Sequence, residues 1–158
     1  MALFREPPPI ERLAANRYAV RLSANERDIL RRLPDELGDQ IKADGDRSTF
    51  RLFPPGYSQD LGRQVEYDRL MRDDLQASHL AALDTFRDTA DAEELDQDQL
   101  SVWLRAINQI RLVLGTRLDV THETNEDDFE EDELKGPAWS LYVYLGWLQQ
   151  HMIEALAE

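Results

Sequence analysis

Apolar residues recur every three or four positions along most of the chain, and the recurrence is cleanest between Leu100 and Leu114. There Leu100, Trp103, Leu104, Ile107, Ile110 and Leu114 form one stripe, the signature of a helix with a single buried face. Asp96, with Gln99 three residues on, supplies a capping-box start. Gly115 offers an early C-cap, whereas Leu118 argues that the helix runs past it. A looser stripe, Leu61, Val65, Leu70, Met71, Leu75, Leu80, Leu83 and Phe86, predicts a long helix from Ser58 to about Ala90, bent near 73–78. After Gly136-Pro137 a last helix carries Leu141, Tyr142, Leu145, Leu148, Met152 and Leu156. Near the N-terminus, Ser23 and Glu26 form a second capping box, so a helix starts at about Ala24 with Ile29, Leu30 and Leu33 inward. Pro34 interrupts it, and two short helices or one kinked helix fit equally well.

Two short stretches favour strand. Tyr18, Val20 and Leu22 alternate along 18–22, and Thr49 to Phe53 is a second β-like piece closed by Pro54-Pro55-Gly56. The two are expected to pair as a ribbon under helical cover. Pro7, Pro8 and Pro9 make residues 1–12 an extended arm. The fold expected is mostly α: an irregular bundle of four or five helices with a minor N-terminal two-stranded β-ribbon, in one domain over 13–158.

Charge sharpens this picture. The chain has 158 residues and a formal net charge of −14. Residues 1–72 hold 13 bases against 12 acids, and the remaining residues hold 5 against 20. Glu123 to Glu133 alone contains eight acids and no base, so a mobile, solvated acidic loop is expected over 121–135. That run has no glycine and no regular ligand spacing, which excludes an EF-hand geometry. The chain has no cysteine, hence no disulfide framework, thiolate metal site or cysteine nucleophile. No apolar run is long enough to cross a membrane and no secretory leader is recognisable, so a cytoplasmic protein is expected.

Candidate chemistry is sparse. Seven scattered glycines form neither a P-loop nor a dinucleotide fingerprint. His79, His122 and His151 show no metal-ligand spacing, and His79 reads as a partly buried helix residue. No nucleophile–base pair can be assembled, so neither an enzyme nor a cofactor or small-molecule site is expected. Arg17, Arg21, Arg27, Arg31, Arg32, Arg47 and Arg51 make the N-terminal half the only candidate for DNA contact; Arg27 and Arg31 lie one turn apart on one face. Asp68 with Arg72, and Arg69 with Asp73, have the spacing of helical ion pairs. Asn108 and Arg111 interrupt the apolar neighbourhood of the third helix; as buried polar groups they would meet Asp73 or Asp74 across the bundle. Trp139, Tyr142, Tyr144 and Trp147 cannot all face one way on a helix, so at least one is expected at the surface or an interface.

The sequence resembles a small actinobacterial family of uncharacterised proteins, a domain of unknown function often encoded beside the adaptor of the Clp protease. The resemblance rests on Arg17-Tyr18 through Leu22-Ser23 with Glu26-Arg27, on Leu52-Phe53-Pro54-Pro55 with Tyr57, and on Glu66 through Leu75. It continues in Trp103 through Asn108, Arg111 through Leu118, Leu141-Tyr142 and Leu145 through Leu148. Some members are described as oxidative-stress transcriptional regulators, so the resemblance implies a regulatory role. Without cysteine, that role cannot involve a disulfide switch. The expected function is therefore a non-enzymatic regulator of stress-responsive transcription that acts by macromolecular binding. The alternative is a protein-interaction module, working on a σ factor or a Clp-related partner without DNA contact. Candidate contact residues are Arg27, Arg31, Arg69, Arg72, Asp73, Asn108, Arg111 and Arg117. The partner is expected to be a protein, with a homodimer or DNA contact through the N-terminal half as further options.

Overall fold

The computed structural model describes residues 6–43, 52, 61–118 and 136–158, the side chains at 61, 63, 64 and 68 excepted. The order is β1 (Ile10–Ala14), β2 (Arg17–Val20), α1 (Ala24–Lys42), α2 (Leu61–Asp88), β3 (Glu94–Leu95), α3 (Gln97–Arg117) and α4 (Gly136–Ala157). Helices pack in chain order, α1 on α2, α2 on α3 and α3 on α4, and α4 closes back onto β1. None of the described helices is long and apolar enough to cross a membrane.

The mostly helical architecture is as the periodicity predicts, but the sheet differs. It has three antiparallel strands in the order β1-β2-β3. Ile10 pairs with Val20, and Tyr18 with Leu95. Both edges of β2 are thus occupied, which leaves no ladder for the expected pairing with residues 49–53. Of that piece only Leu52 is described, and it is buried in the core. The extended arm accordingly stops short of residue 12: Pro9 is buried, its carbonyl accepts from the Arg21 amide at 2.8 Å, and Ile10 opens the strand. The hairpin turns at Asn16, whose φ of 62° is one that asparagine tolerates. The Asn16 side chain then accepts from the Gln97 amide at 2.9 Å, tying the turn to the start of α3.

Both capping boxes form, at Ser23/Glu26 and Asp96/Gln99. Helix α1 runs unbroken through Pro34. The proline gives up one backbone bond, but Leu30, Pro34, Leu37 and Ile41 are all buried along one face, and that packing holds the helix together. Helix α2 is likewise one continuous element of 28 residues, and α3 passes Gly115 to cap at Leu118. The acidic run of 121–135 lies outside the described residues.

His79 sits in the core at 8% exposure. Its Nε2 donates to the Leu52 carbonyl at 3.0 Å, so Nδ1 is the bare nitrogen that accepts from Gln109 Nε2 at 2.7 Å. Burial, reinforced by the charge of Arg105 and opposed by the Leu52 bond, lowers its pKa. The unfolded chain therefore binds a proton more readily than the folded one, and stability rises with pH through this group. The unfolding free energy is expected to fall as pH drops below about 6.5, ahead of any carboxylate titration. Urea unfolding at pH 7.5 and 5.5 checks this: His79→Gln should flatten the difference, and an unchanged slope would contradict it.

Candidate functional site

The capped start of α1 aims Arg27 back over the sheet. Its guanidinium donates to four carbonyls: Ala90 at 2.8 Å, Ala92 at 2.9 Å, Val20 at 3.1 Å and Leu22 at 3.3 Å. Arg27 is thus a staple joining β2, α1 and the α2–β3 turn, and its donors are turned inward. Arg31, one turn on, bridges Asp28 and Asp91. Arg17 pairs with Glu94 at 2.8 Å and Arg21 with Glu11 at 2.6 Å. Hydrogen bonding and charge from Arg17 outweigh desolvation and hold the Glu94 carboxyl below its usual range. The basic face expected around Arg27 and Arg31 is therefore divided into separately compensated cations.

A second lock crosses from α4 to α1. The Tyr144 hydroxyl donates to Glu26 Oε2 at 2.5 Å, while Glu26 Oε1 accepts from the Ser23 amide at 3.1 Å. Burial alone would raise the Glu26 carboxyl. Hydrogen bonds from Tyr144 and Ser23, with the charge of Arg27, outweigh burial and hold it low.

Asn108 and Arg111 come together, but not with Asp73 or Asp74, and Asn108 is exposed rather than buried. Arg111 Nη1 donates to Gln149 Oε1 at 2.7 Å, and Gln149 Nε2 reaches Asn108 Oδ1 at 3.4 Å. The guanidinium carbon stands 4.5 Å from the Tyr142 ring centroid. A Cβ on Gly146 would lie 3.0 Å from Arg111 Nη2. Tyr142, Gly146 and Gln149 share one side of α4, so the glycine leaves room for the cation and its neighbours hold it. The expected carboxylates are elsewhere because Asp73 and Asp74 are exposed on α2. Gly146→Ala is expected to cost about 1–2 kcal/mol by crowding. Arg111→Met should remove most of that penalty, so thermal melts of the two single variants and the double should be non-additive.

The remaining candidates lie on α2 and at the end of α3. Asp35 bonds Arg87 at 2.8 Å, and a Cβ on Gly38 would touch Leu80 at 3.6 Å. This antiparallel register brings the end of α1, Lys42, level with about residue 76. The first half of α2 runs on past it. There Val65 is 70% exposed, Leu70 55% and Tyr67 54%. Arg69 and Asp73 are exposed as well, and no Arg69–Asp73 pair occurs among the ion pairs of the described residues. Arg72 is half-buried and partnered. Arg117 lies exposed in the last turn of α3, beside a groove with Leu33, Leu37 and Val113 as its apolar walls and Glu36 and Gln40 at its edge. On α4, Trp147 is the exposed aromatic that the helix geometry requires, at 46%. It packs between Tyr144, tilted at 33° with centroids 5.8 Å apart, and His151, edge-on at 72° and 4.8 Å.

Among the described residues no three His, Asp or Glu side chains gather as a metal site. The sequence could not show that Arg27 is a structural staple, because its partners are backbone carbonyls. Gln149 and Gly146 were also missed; their spacing to Tyr142 is the one local hint. Comparison with curated proteins and with solved structures finds no match. A family described as a domain of unknown function (DUF2017) matches residues 7–156. With nearly the whole length matched, the chain belongs to that family.

Proposed function

We propose that this chain is a non-enzymatic regulatory protein that acts by binding a protein partner along the first half of α2. The observation that carries the reading is the surface of that helix half. Three large hydrophobic side chains, Val65, Tyr67 and Leu70, are each more than half exposed there, beyond the reach of α1. Exposed apolar side chains of this size, set among Arg69 and Asp73, have the composition of an interface. The internal pairing of Arg17, Arg21, Arg27 and Arg31 favours a protein over DNA, since a net-acidic chain needs free clustered cations to hold phosphate. The resemblance to oxidative-stress regulators supplies the setting, stress-responsive transcription in the cytoplasm.

The test compares the intact chain with Leu70→Asp, an exposed position where folding is not at stake. A protein captured from the parent cell by the intact chain should be lost with Leu70→Asp while the melting temperature holds. Capture unaffected by the variant would overturn the reading. So would duplex DNA binding that falls steeply between roughly 50 and 200 mM salt and survives the substitution.

A further inference from the structure

Helix α4 has no Asp, Glu, Lys or Arg from Gly136 to Ile153, in a chain whose residues are 32% charged. One side of it is core: Leu145, Leu148, Met152 and Ala155 are buried. The opposite side is bare. Ser140, Val143, Trp147, Gln150 and Glu154 are all exposed, at spacings of three and four residues. That spacing is a coiled-coil seam, neutral from Ser140 to Gln150 with an aromatic at its centre and one acid, Glu154, at its end. Depletion of charge around an exposed Trp is what marks the middle of an interface.

The ends of α4 say what can lie on that seam. Its first turn has no acid and its last turn no base, so neither end of the helix dipole is compensated by its own side chains. The acids of this segment, Glu154 in the last turn and Glu158 just past it, stand at the C-terminal end. Arg12 of β1 already donates to the Glu158 carbonyl at the C-terminal end, and an antiparallel copy of the same helix supplies the complement that the helix start lacks. With a two-fold axis at Trp147, Ser140 falls opposite Glu154 of the second copy, and Gly136 opposite its Glu158. The acids of each copy then lie beside the positive helix start of the other. The two Glu154 side chains are about 20 Å apart along the axis, well beyond the roughly 8 Å over which charge is felt at physiological salt. A parallel pair would instead bring Glu154 against Glu154 and align the dipoles. Two copies of net charge −14 repel over most of their surfaces, and this seam lets them meet without opposing like charges.

We propose that α4 is the interface of a symmetric homodimer, packed antiparallel on α4 of a second copy about Trp147. The proposal is independent of what binds α2. Sedimentation equilibrium of the full chain over a wide concentration range should show a monomer–dimer equilibrium. Trp147→Glu should weaken it by about tenfold or more, through buried charge at the axis. Ser140→Lys, at a position exposed in the single chain, should strengthen it several-fold by adding two symmetric pairs with Glu154, and Ser140→Glu should weaken it. Far-UV circular dichroism and melting verify that each variant folds. A chain that stays monomeric throughout overturns the proposal. So does a dimer that ignores both Ser140 substitutions, since it would use another surface.

Discussion

Trp103→Ala is expected to destabilise the protein by about 4 kcal/mol and to lower its melting temperature by roughly 10 °C. Trp103 stands in the second turn of α3 with no exposed surface, in the cluster that joins the sheet to the helices. Its ring meets Phe86 edge to face, centroids 4.9 Å apart at 76°. Its indole N–H donates to Thr89 Oγ1 at 2.6 Å, and that hydroxyl in turn donates to the Thr85 carbonyl at 2.7 Å. Alanine would empty this space and remove the donor together. Trp103→Phe separates the two contributions: it keeps most of the ring but not the N–H, and should cost about 2 kcal/mol. Urea unfolding followed by circular dichroism measures both. A loss below about 1 kcal/mol for the alanine variant would mean that the α2–α3 seam is not the centre of the core.

The elements that can be read from the sequence are those whose cause is local. A capping box needs only Ser23 and Glu26, or Asp96 and Gln99, within one turn, and both form. Amphipathic stripes place the four described helices for the same reason. Strand pairing is long-range, and there the sequence misleads. Thr49 to Phe53 has strand composition, yet Ile10–Ala14 and the two-residue Glu94–Leu95 take both sides of β2. A two-residue strand has no period to detect, and Pro7 to Pro9 hide a strand that begins immediately after them.

The candidate residues divide the same way. Their types are legible, but their partners are not. Arg111 is expected to meet Asp73 or Asp74 across the bundle, but it meets Gln149 and Tyr142 instead, because α3 turns that face to α4 and not to α2. Arg69 and Asp73 have ion-pair spacing but stay apart on an exposed helix half. That one aromatic is exposed follows from helix geometry, since four aromatics between 139 and 147 cannot share one face; that it is Trp147 is read only from the structure.

Arg27 tests whether the N-terminal cations are structural or functional. Arg27→Ala is expected to cost about 3 kcal/mol, because four partly buried carbonyls lose a charged donor at once. The melting temperature should fall by roughly 6–12 °C. Hydrogen exchange should quicken first where the staple held two segments together, at the end of β2 and in the α2–β3 turn. Arg27→Lys keeps the charge but replaces a planar fork of five donors by a single ammonium with three. It cannot reach carbonyls on both sides of the niche, so lysine should recover less than half of the lost stability. A phosphate contact behaves differently: lysine would serve nearly as well as arginine, and alanine would leave the melting temperature where it was. An unchanged melting temperature for Arg27→Ala would therefore release this arginine from its structural role and return the N-terminal half to consideration as a nucleic-acid surface. The expected loss, with poor rescue by lysine, would mark Arg27 as a structural staple rather than a phosphate contact.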